Sequence, residues 1–276
     1  VDAKREKLAA LQNACKQYGT ALVAYSGGVD STFLLKVVTD TLGRENVLGV
    51  TSKNETLSEE EFRQAMETVR QQNFNVQVIE YSELAVEGFA NNTPLRCYYC
   101  KKELFGRLRQ LADANSIAVI MDGCNYDDQD DYRPGIKAAQ EAGVLSPLKL
   151  CGLTKAEIRE LAREMGLPNW NKPSCACLSS RFPYGTAITR ERLKMVGEAE
   201  KFLLQLGLPQ LRVRYHDAIA RIEVPPERLA FLLEPDIREA ILYKFRDLGF
   251  TYVALDLQGY RTGSMNEAML LEEYPS

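Results

Sequence analysis

Apolar residues recur along this chain in two rhythms. Short β-rich runs stand near 21–25 (Ala21-Leu22-Val23-Ala24-Tyr25), 47–51, 76–80 and 117–122, and helical periodicity fills the intervals near 32–42, 59–71, 101–114 and 134–142. Strands separated by helix-length spacers predict parallel βαβ units. A further helix near 154–165 closes at Gly166 with Pro168 just beyond, the order expected of a C′ glycine. From Pro173 to Gly185 the pattern gives way to a polar, proline-punctuated loop, which predicts a domain boundary. Beyond it come a helix near 189–206, strands near 211–216 and 219–224, short helices near 226–233 and 237–247, and a strand near 251–256. The expected fold class is α/β: a parallel-sheet domain over 1–172, a cysteine-bearing loop and linker over 173–187, and a small α+β domain over 188–276.

Composition narrows the function. The 276 residues are 45% hydrophobic and 26% charged, ordinary for a globular protein. The net charge is -4 and no run of Lys or Arg stands out, which weighs against a nucleic-acid partner. No stretch approaches the ~20 apolar residues of a membrane span. The opening residues Val1-Asp2-Ala3-Lys4-Arg5-Glu6-Lys7 read as the start of a charged amphipathic helix rather than a signal peptide, so a cytoplasmic protein with no membrane partner is expected. The N-x-T triplets at Asn54 and Asn91 then read as chance.

The segment Ser26-Gly27-Gly28-Val29-Asp30-Ser31 joins the first predicted strand to the first predicted helix. Two glycines let the main chain approach an anion closely, and the helix N-terminus places several N–H groups and a positive dipole end at one point. Ser26 and Ser31 add hydroxyl donors. Asp30 repels phosphate, so it either fixes the turn or reaches a metal. The Gly-Lys-Ser/Thr ending of a Walker A loop is absent. The segment resembles instead the PP-loop signature of the ATP pyrophosphatase superfamily, which implies cleavage of ATP between the α and β phosphates. Ligands of open parallel sheets bind beyond the carboxyl ends of the strands. Thr51-Ser52-Lys53 and Asp122-Gly123-Cys124-Asn125, at two other such ends, are therefore expected to converge on the same nucleotide. The acidic run Asp127-Asp128-Gln129-Asp130-Asp131 reads as a solvated loop or helix N-terminal charge.

Of seven cysteines, Cys15, Cys124 and Cys151 read as isolated thiols, and disulfides are not expected in a reducing compartment. Cys97-Tyr98-Tyr99-Cys100 and Cys175-Ala176-Cys177 are grouped. The first pair lies where the chain enters a helix, beside Lys101 and Lys102, which favours thiolate. Structural zinc, an iron–sulfur cluster held by three thiolates, and uncoordinated thiols all remain open. A thiolate loop following a nucleotide domain is placed for chemistry on an activated substrate, which favours the cluster. In Leu211-Arg212-Val213-Arg214-Tyr215-His216 the alternation puts Arg212, Arg214 and His216 on one face and apolar residues on the other. Either a phosphate or a salt-bridge lattice with Arg221 and Glu223 offsets that charge. Ser179-Ser180-Arg181-Phe182-Pro183-Tyr184-Gly185-Thr186, beside the cysteines, has the hydroxyls and the arginine of an anion contact.

Together S-G-G-V-D-S, D-G-C-N-Y-D-D with D-Y-R-P-G, S-S-R-F-P-Y-G-T, R-V-R-Y-H and I-A-R-I-E resemble the LarE family over nearly the whole chain. The family's members are PP-loop sulfur transferases that help to make the nickel-pincer nucleotide of lactate racemase and related enzymes. The resemblance implies adenylation of the carboxylates of pyridinium-3,5-biscarboxylic acid mononucleotide by Mg-ATP, followed by replacement of the activated oxygen with sulfur. It implies that Ser26, Gly27, Gly28, Val29, Asp30 and Ser31 hold ATP phosphates, with Ser52, Asp122 and Gly123 nearby. Arg212 and Arg214, with Ser180 and Arg181, would hold the substrate phosphate. Glu200 and Glu223 match family carboxylates linked to a divalent ion, whereas a further acid of that set has no counterpart in 225–231. Cys97 and Cys100 place the chain with members that carry a 4Fe-4S cluster. Cys177 is the favoured third ligand and Cys175 a neighbour or alternate. Sacrifice of the sulfur of Cys177 or Cys175, leaving dehydroalanine, and tRNA thiolation are the rival readings. Homo-oligomers, hexamers among them, are implied as well.

Overall fold

The structure, a computed structural model, describes residues 3–130, 134–173, 176–261 and 264–266. The chain divides into two units: Val1–Phe89 with Pro94–Cys175, and Ala90–Thr93 with Ala176–Ser276. The first unit runs α1 (Ala3–Lys16), β1 (Ala21–Ala24), α2 (Val29–Leu42), β2 (Val47–Lys53), α3 (Glu59–Gln71), β3 (Val76–Glu80), α4 (Arg96–Ala114), β4 (Val119–Met121), α5 (Pro134–Glu141), α6 (Pro147–Leu150) and α7 (Lys155–Glu164).

All four strands are parallel, in the order β3-β2-β1-β4. Ala21 of β1 lies opposite Val47 on one side and Val119 on the other. Central parallel strands bury both faces, which explains the continuous apolar run. Ala21 and Val23 pack with Leu11 and Cys15 of α1, Phe33, Leu34 and Val37 of α2, and Ile158 and Leu161 of α7. Leu22 points the other way, among Ile120, Phe105, Leu108 and Ala112 of α4 and Ala139 of α5. The sheet is thus a middle layer between two layers of helices. The chain winds outward from β1 through β2 to β3, then returns to the opposite side of β1 for β4. That reversal makes the carboxyl end of β1 a topological switch point, where an open α/β sheet leaves a crevice.

The second unit contains α8 (Arg190–Gln205), β5 (Arg212–His216), β6 (Ile219–Glu223), α9 (Leu229–Leu232), α10 (Pro235–Asp247) and β7 (Tyr252–Leu255). β5 and β6 are antiparallel, turning at Asp217 (φ 52°), and β7 joins β6 in parallel. Phe182, Tyr215, Phe250 and Phe245 form an aromatic chain with centroid spacings of 5.3, 6.1 and 5.9 Å. The four residues 90–93 are knitted into this unit by Asn92, whose Nδ2 donates to Pro183 O at 2.7 Å, and by Gly185 N donating to Asn92 O at 3.0 Å.

The expected α/β class with a small α+β unit is what the chain forms. α4 begins at Arg96 rather than near 101, so Cys97 sits in its first turn and Cys100 opens the second. No helix among the described residues is long and apolar enough to cross a membrane, and no disulfide forms among them. Burial pushes the Cys15 thiol up to about 11, as befits a packed, unreactive group. Phe33 of α2 is fully buried. Phe33→Ala is expected to cost about 3–5 kcal/mol in urea unfolding; a loss below about 1 kcal/mol would contradict the core assigned to α2.

Candidate active site

At the carboxyl end of β1 the chain turns through Ser26 and Gly27 into α2. Gly27 adopts φ +74°, and a Cβ there would lie 2.5 Å from the Cβ of Ala65 on α3. Both the conformation and the close approach require glycine. Gly28 caps α2. Its carbonyl accepts from Thr32 N at 3.0 Å, Thr32 Oγ1 at 2.8 Å and Ser31 Oγ at 3.1 Å. Ser26 Oγ and Ser31 Oγ meet at 3.0 Å, and Gly28 N reaches Ser26 Oγ at 3.4 Å. The result is a concave turn with two hydroxyls at its mouth and a helix N-terminus behind it, chemically an anion cradle.

The loop after β4 closes on the cradle, whereas the end of β2 makes its own local contact. Gly123, after β4, approaches so closely that a Cβ would stand 2.9 Å from Ser31 N and 3.1 Å from its Cα. Asp122 holds that loop, its Oδ1 accepting from Cys124 N at 3.2 Å and Ser146 Oγ at 2.7 Å. Ser52, at the end of β2, accepts from Asn54 Nδ2 at 3.4 Å. Asp127 Oδ2 accepts from Lys155 N at 2.8 Å, and Asp128 Oδ2 accepts from Asn125 N at 2.9 Å. These two acids therefore tether loops, while Asp131 lies outside the described residues.

Asp30 points one carboxylate oxygen, Oδ2, at Lys155 Nζ. The other, Oδ1, is buried without a hydrogen-bond partner among the described residues. Burial pushes the Asp30 carboxyl above its ordinary range, against the pull of Lys155. An anionic oxygen left open beside an anion cradle fits a magnesium ion that arrives with the nucleotide. Lys155 and Asn169 hold Asp30 and Gly27 from far along the chain. The capping box of Thr154 and Glu157 marks where the helix of Lys155 starts, but nothing local marks its partner.

Cys97 is exposed and Cys100 half-buried, three residues apart on α4. Cys100 Sγ donates to Glu83 Oε1 at 3.1 Å. Glu83 is 5% exposed and also accepts from Asn54 Nδ2 at 3.0 Å and Thr56 Oγ1 at 2.7 Å. The sequence had given no sign of this buried carboxylate, since the segment between β3 and α4 carries no periodicity. Burial, with Glu83 and Cys100 adding to it, pushes the Tyr81 hydroxyl up. Two thiols on one helix turn are chemically suited to a cluster. Among the described residues, however, no three ligand-type groups come together. Cys175 lies outside the described residues, and Cys177 belongs to the second unit.

In the second unit the charged side chains form a paired lattice. Arg181 is 3% exposed. Its Nε and Nη2 donate to Glu200 at 2.8 and 2.9 Å, and its Nη1 donates to Ala176 O, Cys177 O and Ser180 Oγ. Glu200 also accepts from Val213 N at 2.9 Å. Arg214 donates to Ser180 O at 3.1 Å, to Glu223 at 2.7 Å and to Ser264 Oγ at 2.9 Å. Glu223, fully buried, accepts also from Arg221 at 3.1 Å and Ser264 Oγ at 2.9 Å. Both carboxylates, the expected ligands of a divalent ion, face guanidinium groups here. Arg212 is half-buried and stacks over the Tyr260 ring at 5.2 Å. The exposed Cys177 accepts from Ser179 Oγ at 3.3 Å. Ser180 links Arg181 and Arg214, while Arg181 grips the backbone of the cysteine loop.

Residues 5–183 match the family described as NAD synthase. The chain is 43% identical over 263 residues to the pyridinium-3,5-bisthiocarboxylic acid mononucleotide synthase of Lactiplantibacillus plantarum, covering 95% of each. It is 41% identical over 263 residues to an uncharacterized protein of Synechocystis, covering 95% of this chain and 98% of that one. Argininosuccinate synthase of Haloarcula marismortui is 26% identical over 160 residues, 54% of this chain and 38% of its own length.

Two outcomes follow from the lattice. Glu200→Leu leaves a buried guanidinium uncompensated and is expected to cost about 3–5 kcal/mol, with much of it recovered in Arg181→Met/Glu200→Leu. Chemical denaturation reads both, and a double variant no more stable than the single would contradict the pairing. His216 is the one histidine. Burial lowers its pKa, with the positive charges of Arg221 and Arg214 adding to that. The unfolded chain therefore takes up the proton first, and stability falls as pH drops from about 6.5 toward the folded value. The single imidazole signal in an NMR titration should have its midpoint below about 6.5; a midpoint above it would contradict this environment.

Proposed function

Since this chain belongs to the LarE family of PP-loop synthases, whose nucleotide domain is of the NAD synthase type, we propose that it is an ATP-dependent sulfur-inserting synthase. Its substrate would be pyridinium-3,5-biscarboxylic acid mononucleotide and its product the bis-thiocarboxylate. The observation that carries this reading is the cradle of Ser26–Ser31 at the switch point of the sheet, in a chain similar over 95% of its length to the synthase of that name.

A carboxylate resists displacement because its oxygen leaves badly. Its attack on the α-phosphorus of ATP forms a carboxyl–AMP anhydride and expels pyrophosphate; a sulfur nucleophile then displaces AMP. The main-chain N–H groups and the Ser26 and Ser31 hydroxyls would stabilise the charge that collects on the departing pyrophosphate. Asp30 Oδ1 would bind magnesium, which supplies further charge neutralisation on the phosphates. Lys155 keeps the other Asp30 oxygen in place. The loops of Ser52, Asp122 and Gly123 would complete the nucleotide site.

The substrate phosphate would meet Arg212 and Arg214, with Ser180 between Arg214 and Arg181. Arg181, saturated by Glu200 and the carbonyls of Ala176 and Cys177, would chiefly hold the cysteine loop in position. Cys97, Cys100 and Cys177 would hold a 4Fe-4S cluster, which supplies sulfide for transfer. The same reading takes the protein as a cytoplasmic homo-oligomer whose partner is a small nucleotide rather than nucleic acid.

Anaerobically purified protein, given Mg-ATP and the pyridinium diacid, should release pyrophosphate and form an AMP-linked intermediate. Asp30→Asn should slow that release by about 10²-fold or more. Absence of any pyrophosphate, or release of orthophosphate instead, would overturn the reading.

A further inference from the structure

The segment that follows α7 grips the cradle from behind. Asn169 is 9% exposed, and its Nδ2 donates to Gly27 O at 3.1 Å and to Thr32 Oγ1 at 2.9 Å. Its partners fix which end of the amide faces them. Gly27 O can only accept, and the Thr32 hydroxyl gives its own proton to Gly28 O at 2.8 Å, so both positions need the NH2 end. Lys172 Nζ adds a longer donation to Gly27 O at 3.5 Å.

In a trans peptide the carbonyl and the N–H point in opposite directions. Drawing Gly27 O back toward Asn169 turns the Gly28 N–H forward, where it already meets Ser26 Oγ at 3.4 Å. Anchoring Gly28 O through Thr32 does the same for the Val29 N–H. Glycine peptides rotate more freely than others, so the aim of these two donors depends on what holds their carbonyls. Gly27, Asn169 and Lys172 also line an open polar groove of about 370 Å³. Water entering it can satisfy Gly27 O once the amide is gone. Loss of Asn169 therefore falls on the direction of the donors more than on an unsatisfied buried group.

We propose that Asn169 is a positioning residue for anion binding: through Gly27 O and Thr32 Oγ1 it sets the peptide planes that aim the Gly28 and Val29 N–H groups at phosphate. The inference rests on reading Ser26–Ser31 as the ATP phosphate cradle. Asn169→Ala removes both donations without adding charge, and water from the groove can reach Gly27 O. Thr32→Val breaks the relay, and Thr32→Ser keeps it. Calorimetric titration of the full chain with Mg-ATP, Mg-pyrophosphate and adenosine, beside a thermal melt, reads the effect.

Asn169→Ala should weaken ATP and pyrophosphate about tenfold or more while leaving adenosine nearly unchanged. Thr32→Val should weaken both phosphates and Thr32→Ser should not, which decides the matter if Asn169→Ala does not fold. Unchanged phosphate affinity in Asn169→Ala and in Thr32→Val would overturn the inference. So would equal weakening of adenosine together with a lowered Tm, the mark of general damage. Wild-type protein that binds ATP with unaltered variants sinks this inference alone. Wild-type protein that binds neither ATP nor pyrophosphate sinks the cradle reading, and this inference with it.

Discussion

A peptide group cannot send its carbonyl and its N–H to the same side, and the proposed nucleotide site of this protein is built on that constraint. To offer donors to an anion, the turn after β1 must dispose of its carbonyls elsewhere. Gly27 O goes to Asn169, and Gly28 O goes to the backbone and hydroxyl of Thr32 and to Ser31. The left-handed Gly27 makes the arrangement sterically possible, and Ala65 of α3 closes the space a side chain would need. The buried central strand then holds the turn at the point where the winding of the sheet reverses.

The two units handle charge in opposite ways. In the first, positive character comes from N–H groups and a helix end, with Asp30 left half-satisfied. In the second, arginines are gathered and then balanced by Glu200, Glu223 and Asp256. Those carboxylates keep several guanidinium groups together in a buried place, where they would otherwise repel one another. Arg181 couples this lattice to the cysteine loop through Ala176 O and Cys177 O. Arg181 thus joins Glu200 to the backbone of Cys177.

The α/β class was legible because central parallel strands are apolar on both faces and the helices between them keep their period. β1 through β4 lie within about two residues of the apolar runs, as far as strand ends can be read from pattern. The start of α4 was not legible: Arg96-Cys97-Tyr98-Tyr99-Cys100-Lys101 has no apolar stripe, and its first turn takes its place from Glu83 and the residues around it. The cradle itself was legible from six contiguous residues. Its supports were not, because Asn169 and Lys155 reach it across 142 and 125 positions. Glu200 and Glu223 illustrate a different limit. Sequence shows acids near arginines, but whether a carboxylate faces a guanidinium or a metal depends on side-chain direction. Here the bidentate contact of Arg181 decides it for Glu200.

In the proposed reaction a carboxylate oxygen leaves on AMP so that sulfur can take its place. Substrate with both carboxyl groups labelled in oxygen-18, turned over with unlabelled Mg-ATP, tests this directly by mass analysis of the nucleotide formed. The expected result is AMP carrying one labelled oxygen for each sulfur inserted, with unlabelled pyrophosphate. Label found in orthophosphate beside ADP, or AMP released without label, would contradict it.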